Sequence, residues 1–176
     1  MIFQPGAVDG TFVVQPELRT DDRGFFARAF DVDEFAARGL EPTVVQTNVS
    51  FNVQRGTLRG MHWQEAPHQE TKLIRCTAGS ILDVVVDIRP SSPTYLRWTA
   101  AELTADNRYA MYAPVGTAHG YLTLTDGAEV TYQVSHPFTP AADRGARWDD
   151  PAFAIDWPFA PVVVSAKDAD HPPFSP

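Results

Sequence analysis

The chain has 176 residues, 44% of them hydrophobic, which predicts one domain with a substantial core over residues 1–176. No apolar run approaches the ~20 residues of a membrane span, and the first residues do not resemble a secretory signal. The formal net charge of −8 argues against a nucleic-acid partner, and the single cysteine, Cys76, fits a reducing compartment. We therefore expect a cytoplasmic protein that binds neither nucleic acid nor membrane.

Short strands separated by turns dominate the pattern along the chain. Alternation is cleanest in residues 80–88, where Leu82, Val84 and Val86 share one face and the odd-numbered residues, two aspartates among them, share the other. This period of two predicts a strand buried on one side. In chain order, the predicted strands are residues 11–14, 24–30, 44–51, 57–63, 71–76, 80–88, 97–103, 109–113, 121–124 and 129–134.

One segment, residues 32–39, has the pattern of a helix, with Asp31 or Asp33 as its N-cap and Gly39 just after its end. From Pro137 onward the chain is rich in proline and has no steady period, which predicts an irregular arm packed back on the body. The apolar anchors of this arm are Phe153, Ile155, Trp157, Phe159 and Val162 to Val164. About ten short strands with almost no helix predict an all-β sandwich or barrel of the jelly-roll type.

Jelly-roll barrels of the cupin type carry two short motifs, and PVGTAHG, residues 114–120, fits the second. The first fits around His62, but Gln64 stands where a second histidine is usual, and His68 falls near the place of a glutamate. His62, His68 and His119 together would offer a site for iron, copper or zinc. Because glutamine is a poor ligand, this metal site is the weaker interpretation.

Two other roles for His62 stay open, a structural histidine of the core and a general base. In ideal strand geometry His62 lies on the face opposite to Arg59, and Gly60 between them indicates a bulge or a close backbone approach. A base needs a carboxylate that orients its ring. The candidate carboxylates are Asp83, Asp87 and Asp168.

Motifs in a characteristic order cover nearly the whole chain. They are DDRGFF (21–26), QTNVS (46–50), RGTLRGMHWQ (55–64), KLIRC (72–76), DVVVDIRPSSPTY (83–95), PVGTAHGYLTL (114–124), EVTYQ (129–133), RWDDP (147–151), IDWP (155–158) and SAKD (165–168). With these motifs the chain resembles the dTDP-4-dehydrorhamnose 3,5-epimerases, which act on nucleotide-linked 4-keto-6-deoxy sugars. The resemblance implies an all-β cupin-type double-stranded β-helix, or jelly-roll barrel, with one short helix and an irregular C-terminal arm.

The resemblance also implies a mechanism that needs neither a cofactor nor a metal. His62 matches the family's base and Asp168 the carboxylate paired with it, so that a proton next to the ketone is removed to leave an enolate. Lys72 matches the cation near the C4 oxygen, where negative charge develops. Tyr132 matches the acid that returns a proton from the opposite face of the sugar.

A nucleoside-diphosphate sugar is the partner that the resemblance implies, and a local excess of basic residues suits such an anion. Eight of the fourteen lysines and arginines fall within residues 19–75. Arg23 and Arg59 match residues that contact the diphosphate or the sugar. Further substrate-contact positions are Gln46, Asn48, His119, Lys167 and Asp143, the last at a place where the family usually has glutamate. The family's homodimers, in which an N-terminal strand reaches across to the partner, imply a homodimer here too.

Three departures from the family concern specificity. Arg28 stands where dTDP-specific members usually have a glutamate, Phe138 replaces the tyrosine that stacks on thymine, and Thr117 replaces an aromatic residue. Cytidine or another nucleotide is therefore an alternative to thymidine. Whether C3, C5 or both carbons are inverted also stays open. The rival hypotheses of other classes are a metal-dependent oxygenase using His62, His68 and His119, and a sugar-nucleotide binding module without catalysis.

Overall fold

The computed structural model describes residues 1–175, so Pro176, the last residue of the predicted domain, lies outside the described residues. The strands are β1 (Ile2–Pro5), β2 (Phe12–Gln15), β3 (Arg19–Asp21), β4 (Gly24–Phe26), β5 (Gln46–Asn52), β6 (Thr57–Gln64), β7 (Lys72–Ala78), β8 (Ser80–Asp87), β9 (Trp98–Thr104), β10 (Ala110–Ala113), β11 (Thr117–Thr123), β12 (Ala128–Val134), β13 (Asp143–Gly145) and β14 (Val163–Val164). The α-helices are α1 (Val32–Ala36) and α2 (Ala166–Ala169), and a 3₁₀ turn covers Pro140–Ala142.

Two large sheets make up the body. The first sheet has the strand order β1-β2-β10-β7-β12-β5, and the second has the order β13-β6-β11-β8-β9, with β14 added in parallel to β6. Neighbouring strands within both sheets are otherwise antiparallel, and β3 and β4 form a separate hairpin. The predicted all-β architecture is confirmed, although the predicted strand 24–30 ends at Phe26.

The core lies between the inner faces of the two sheets. Apolar side chains of both sheets meet there, namely Ile74, Cys76, Met111 and Val130 of the first sheet and Ile81, Val85 and Leu103 of the second. Toward one end of this interior the inward side chains become polar. These polar side chains, from both sheets, line a cavity that lies between the sheets.

The prediction that the strand at residues 80–88 is buried on one side is wrong, because β8 is buried on both. Its odd-numbered residues face the core, while Val84 and Val86 on the other face are also fully buried. The C-terminal arm covers that outer face, and Phe153 packs there against Val84, Val86 and Met61. The arm was predicted to pack on the body, but two expected anchors, Val162 and Val163, are exposed.

Both helices are short, and none of the helices in residues 1–175 is long and apolar enough to cross a membrane. In α1, Asp31 caps the N-terminus by accepting a hydrogen bond from the Glu34 N–H at 3.0 Å, and Phe35 is buried against Tyr112 of the first sheet. The helix ends at Ala36, earlier than predicted. The expectation of one helix is also wrong, because α2, capped by the Ser165 hydroxyl, spans too few residues to produce a visible period.

Candidate active site

The cavity between the sheets has a volume of about 660 Å³. Its walls combine β5, β7 and β12 of the first sheet with β6 and β11 of the second, and the C-terminal arm forms its rim. Most of the predicted site residues line it: Gln46, Asn48, Arg59, His62, Lys72, His119, Tyr132, Phe138, Asp143, Lys167 and Asp168. Residues that lie far apart in the chain therefore converge on one concave surface.

His62 and Asp168 form a hydrogen-bonded pair in this wall. His62 Nε2 lies 2.7 Å from Asp168 Oδ1, while Asp168 Oδ2 accepts a hydrogen bond from the Gly60 N–H at 3.3 Å. Burial would raise the pKa of Asp168, but the hydrogen bond and charge of His62, with smaller contributions from the Gly60 N–H and His171, together hold that pKa below its usual value. Within residues 1–175, Nδ1 of His62 has no hydrogen-bond partner, so this nitrogen is available to a substrate.

The other two candidate carboxylates have different partners. Asp83 lies 2.7 Å from His119 Nε2, deep beneath the cavity. Burial raises the pKa of Asp83, and the charge of His119 opposes this effect without cancelling it. Asp87 instead accepts hydrogen bonds from Arg89 and Ser92 and so holds the loop that follows β8. Of the three candidates, Asp168, on α2, is therefore the carboxylate that is paired with His62.

A bulge in β6 brings Arg59 and His62 to the same cavity, so the prediction that they face opposite ways is wrong. His62 lies opposite His119 and Arg59 opposite Tyr121, which means that β6 carries one more residue than β11 over this stretch. Gly60 has a φ of +126°, and a Cβ there would lie 2.5 Å from the Gly120 Cα. A bulge or a close backbone approach was predicted at Gly60, and the structure has both.

Lys72 enters the cavity from the start of β7 and is held by a carboxylate that the sequence did not single out. Its Nζ lies 2.5 Å from Glu70 Oε1, and both side chains are nearly buried. The other oxygen of Glu70 accepts a hydrogen bond from Gln64 Nε2 at 2.6 Å. Gln64 also accepts one from the Thr139 N–H at 2.6 Å, so it ties the cavity floor to the arm.

Tyr132 reaches the cavity from β12, next to β7 in the first sheet. Burial raises the pKa of Tyr132, the charge of Arg59 lowers it, and the charge of Glu70 raises it again, with a net increase. The phenol therefore keeps its proton at neutral pH. His62 and Tyr132 belong to different sheets, so they approach the cavity from opposite walls.

Arg59 is held in place by a polar network at the inner end of the cavity. Its Nε donates to Asn52 Oδ1 at 2.8 Å, and Asn52 Nδ2 in turn lies 3.3 Å from the Tyr121 hydroxyl. That hydroxyl also lies 2.7 Å from Ser50 Oγ. The guanidinium of Arg59 is thus aimed into the cavity, where it can bind an anion.

The rim combines an exposed aromatic ring with an ion pair. Phe138 is 59% exposed, and its backbone N–H donates to Gln46 Oε1 at 2.9 Å, which fixes its position at the mouth. Lys167 Nζ lies 2.5 Å from Asp143 Oδ2 across the opening. A flat apolar surface beside the exposed ammonium group of Lys167 suits a nucleobase and a phosphate.

The single chain does not bring Arg23 and Arg28 to the cavity. Arg23 lies in the hairpin of β3 and β4, where it pairs with Asp21 and is 89% exposed. Arg28 pairs with Asp31 at 2.7 Å, next to α1. Neither arginine lines the cavity that holds His62, so the two stay separate from His62 within one chain.

The three histidines of the alternative metal site are not assembled either. His62 and His119 both line the cavity, but His68 does not, and its ring packs 5.1 Å from that of His136. Gln64, at the usual ligand position, is engaged in hydrogen bonds. The arrangement therefore gives no support to an oxygenase that uses His62, His68 and His119.

Sequence reasoning missed several residues of the cavity. The alternation of side chains along a strand would have indicated some of them. Ser50 continues the inward face of Gln46 and Asn48 on β5, and Tyr121 continues that of His119 on β11. Glu70 lies two residues before Lys72, on the same side of the chain. No local pattern indicates that His171, also missed, lies beside His62.

Comparison with known proteins points to one family. The sequence profile of the family described as dTDP-4-dehydrorhamnose 3,5-epimerase matches residues 5–176. A dTDP-4-dehydrorhamnose 3,5-epimerase of Sinorhizobium fredii is 39% identical over 173 residues, 98% of this chain and 89% of that one.

Two crystal structures are similar to this chain as well. The dTDP-4-dehydrorhamnose 3,5-epimerase of Elizabethkingia anophelis has a TM-score of 0.95 and 30% identity, with 99% of this chain and 96% of that one covered. A 3'-monoepimerase from Streptomyces bikiniensis in complex with dTDP-quinovose has a TM-score of 0.88 and 34% identity, with 97% and 86% covered. This likeness confirms the predicted cupin-type jelly roll.

Proposed function

Because the chain belongs to the dTDP-4-dehydrorhamnose 3,5-epimerase family and is therefore an isomerase, we propose that it epimerises a dTDP-linked 4-keto-6-deoxy sugar through an enolate. One observation carries this proposal. A His62–Asp168 pair on one wall of the cavity faces Tyr132 and Lys72 on the other. These are the groups that removal and return of a proton beside a ketone require.

His62 is the base of the proposed reaction. Its Nε2–H donates to Asp168, which leaves the lone pair of Nδ1 to take the proton from the carbon next to the ketone. The negative charge of Asp168 fixes the orientation of the ring and stabilises the imidazolium that forms. The low pKa of Asp168 keeps this carboxylate ionised throughout.

Lys72 stabilises the enolate. Its ammonium group is held by one carboxylate oxygen of Glu70, so other N–H donors remain for the C4 oxygen of the sugar. Because Lys72 is nearly buried, its fixed positive charge lowers the energy of the developing oxyanion more than it would in bulk solvent. Glu70 therefore acts as a positioning residue.

Tyr132 is the proposed acid. Inversion requires a proton on the face opposite to the one from which it left, and Tyr132 belongs to the opposite sheet from His62. Its raised pKa keeps the phenol protonated until an enolate, a stronger base, is formed. Arg59 and Lys167 bind the diphosphate, and Phe138 stacks on the nucleobase.

We further infer that the chain works as a homodimer in the cytoplasm and that residues 1–176 act as one domain. Support for a dimer comes from Phe25 and Phe26 on β4 and from Val49 and Phe51 on β5, all exposed in the single chain. An exchange of the β3–β4 hairpin between subunits would cover such surface and carry Arg23 and Arg28 to the partner's cavity. The single cysteine supports the cytoplasmic location.

The test is proton NMR of the enzyme in D₂O with dTDP- and CDP-4-keto-6-deoxyglucose. We expect deuterium to enter C3, C5 or both with dTDP, and the pattern distinguishes the double epimerase from a monoepimerase such as the Streptomyces bikiniensis relative. Faster deuterium exchange with the CDP-linked sugar than with the dTDP-linked sugar would instead identify cytidine as the preferred nucleoside. His62→Ala should abolish exchange at both carbons, and unchanged exchange in that variant would refute the base assignment.

A further inference from the structure

His171 lies beside the His62–Asp168 pair and has no role in the mechanism above. Its Nε2 lies 3.8 Å from Asp168 Oδ1, and its ring centroid lies 5.7 Å from that of His62. The ring occupies space left by Gly145, where a Cβ would collide with the imidazole. Gly145 is the residue of β13 that lies opposite His62. The packing therefore fixes the His171 ring close to the base.

The ring nitrogen that faces this pair is not satisfied. His171 Nε2 is buried from solvent and has no hydrogen-bond partner among residues 1–175. An unpaired buried polar atom costs roughly 1–3 kcal/mol, so such atoms in native proteins need an explanation. A ligand that accepts the lone pair of this nitrogen would remove the cost.

We propose that His62 Nε2, Asp168 Oδ1 and His171 Nε2 form a binding site for Zn²⁺ or a similar divalent transition-metal ion, which switches the enzyme off. One ligand atom from each residue lies within 4.8 Å of the other two. Zinc bonds of about 2.0–2.2 Å place tetrahedral ligand atoms roughly 3.3 Å apart. The two observed separations from Asp168 Oδ1, 2.7 Å and 3.8 Å, bracket that value, and side-chain rotation would set the third separation, between the two imidazoles, which lies within 4.8 Å.

The chemistry of the donor set agrees with this choice of ion. Two imidazoles, which are borderline ligands, and one carboxylate make a set that zinc takes in proteins with an open fourth position. The cavity supplies that position, since His62 and Asp168 both line it. Calcium and magnesium prefer oxygen ligands and fit this set poorly.

Metal binding at this site would inhibit through the tautomer of His62. In the free enzyme the ring proton is on Nε2 and the lone pair of Nδ1 is the base. When a metal ion takes the lone pair of Nε2, the proton moves to Nδ1, and the ring stays neutral with no net proton released. Nδ1–H cannot accept a proton from the sugar, so turnover stops. This inhibition, but not the binding, rests on the proposed function.

Titration of the EDTA-treated full-length chain with Co²⁺ tests the site without any turnover. We expect one equivalent to bind and to give the intense visible absorption of a four- or five-coordinate ion. His171→Ala and the more conservative His171→Gln should each weaken binding on the order of tenfold or more, because they remove a ligand. His136→Ala, which removes a histidine from the His68 pair, should bind Co²⁺ as the wild type does.

Inhibition is measured in the D₂O exchange assay. Zn²⁺ at concentrations that displace Co²⁺ should stop exchange in the wild type, EDTA should restore it, and His171→Ala should remain active in the presence of Zn²⁺. Equal Co²⁺ affinity in wild type and both His171 variants, or loss of binding in His136→Ala, would overturn the site. A chain that binds Co²⁺ at His171 but never exchanges the sugar protons would refute the proposed function alone.

Discussion

His62 and His119 lie opposite each other on neighbouring strands, and each is hydrogen-bonded to an aspartate at 2.7 Å. Their exposure distinguishes them. The His62 side chain is 32% exposed toward the cavity, whereas that of His119 is 10% exposed and its partner Asp83 is fully buried. A base must reach its substrate and have an ionised carboxylate behind it. At the scale of single residues, therefore, the accessible His62 with the ionised Asp168 suits proton transfer. The less exposed His119 suits a substrate contact made by a ring that Asp83 holds in place.

Replacing Asp168, the carboxylate paired with the proposed base His62, should affect catalysis much more than binding. In Asp168→Asn the ring of His62 loses the negative charge that stabilises its protonated form, so we expect kcat to fall by about 10²- to 10⁴-fold. Affinity for dTDP, measured by calorimetry, should change little. Asp143→Asn at the rim is the matched control and should keep most of the kcat. A kcat for Asp168→Asn within tenfold of the wild type would contradict the pairing.

The buried Glu70–Lys72 pair gives a prediction about stability. Glu70→Ala leaves the ammonium of Lys72 buried without a counter-charge, so the free energy of unfolding should fall by about 3–5 kcal/mol. Glu70→Ala combined with Lys72→Met should recover much of this loss. Urea unfolding measures both. The exposed pair of Arg147 and Asp149 is the control, since Asp149→Ala should cost less than about 1 kcal/mol. No recovery in the double variant would show that the two charges are not coupled.

At the scale of single elements, the bulge in β6 has the largest effect on the site. Without the additional residue, strict alternation would turn either Arg59 or His62 away from the cavity. Gly60 makes the bulge compatible with the close packing of β6 on β11, because its backbone lies against that of Gly120. A strand irregularity thus places the guanidinium of Arg59 and the imidazole of His62 on one surface.

Gly60→Ala should destabilise the protein far more than an ordinary glycine replacement. The new Cβ would lie 2.5 Å from the Gly120 Cα, and backbone atoms of a central strand cannot move away easily. We expect a loss of at least about 3 kcal/mol in urea unfolding, or no folding at all. Gly127→Ala has a positive φ of +65° but nothing within 4 Å of its Cβ, so it should cost only about 1–2 kcal/mol. Equal costs would mean that steric contact at Gly60 is unimportant.

At the scale of the whole molecule, the β3–β4 hairpin is the feature that a single chain leaves unexplained. It carries the exposed Phe25 and Phe26, and it holds Arg23 away from the cavity that the family resemblance connects it with. Both facts agree if two chains exchange hairpins. Arg28 would then also approach a nucleotide bound in the partner's cavity.

A mixing experiment tests this shared site. If Arg23 completes the cavity of the other subunit, Arg23→Ala and His62→Ala are both inactive alone. Equal amounts of the two, unfolded and refolded together, should recover about a quarter of the wild-type activity, because half of the random dimers contain one intact site. His62→Ala mixed with Asp168→Asn is the control and should recover nothing, since both changes affect the same chain's site. No recovery in the first mixture, with sedimentation showing a dimer, would contradict the exchange.

Much of this protein could be derived from its sequence, because the relevant information is local. Period two in residues 80–88 and in the other strands predicts an all-β fold, and the same period places Gln46 and Asn48 on one face. Short motifs such as RGMHWQ and SAKD point to the residues of the proposed chemistry before any contact is known. A glycine in the middle of β6 also predicted that another backbone lies close to residue 60, since only glycine lacks the Cβ that would prevent such packing.

The tertiary structure decided which distant groups meet. Three aspartates were candidates for the partner of His62, and only folding selected Asp168, which lies 106 residues away in the chain. Folding likewise placed Arg59 on the same side as His62, and it brought Glu70 and His171 into the site. It also buried both faces of β8, one in the core between the sheets and the other beneath the C-terminal arm. The physical reason is that local pattern governs which way a side chain points from its own strand. Its partners, burial and protonation depend on contacts between strands, which exist only once the two sheets have packed.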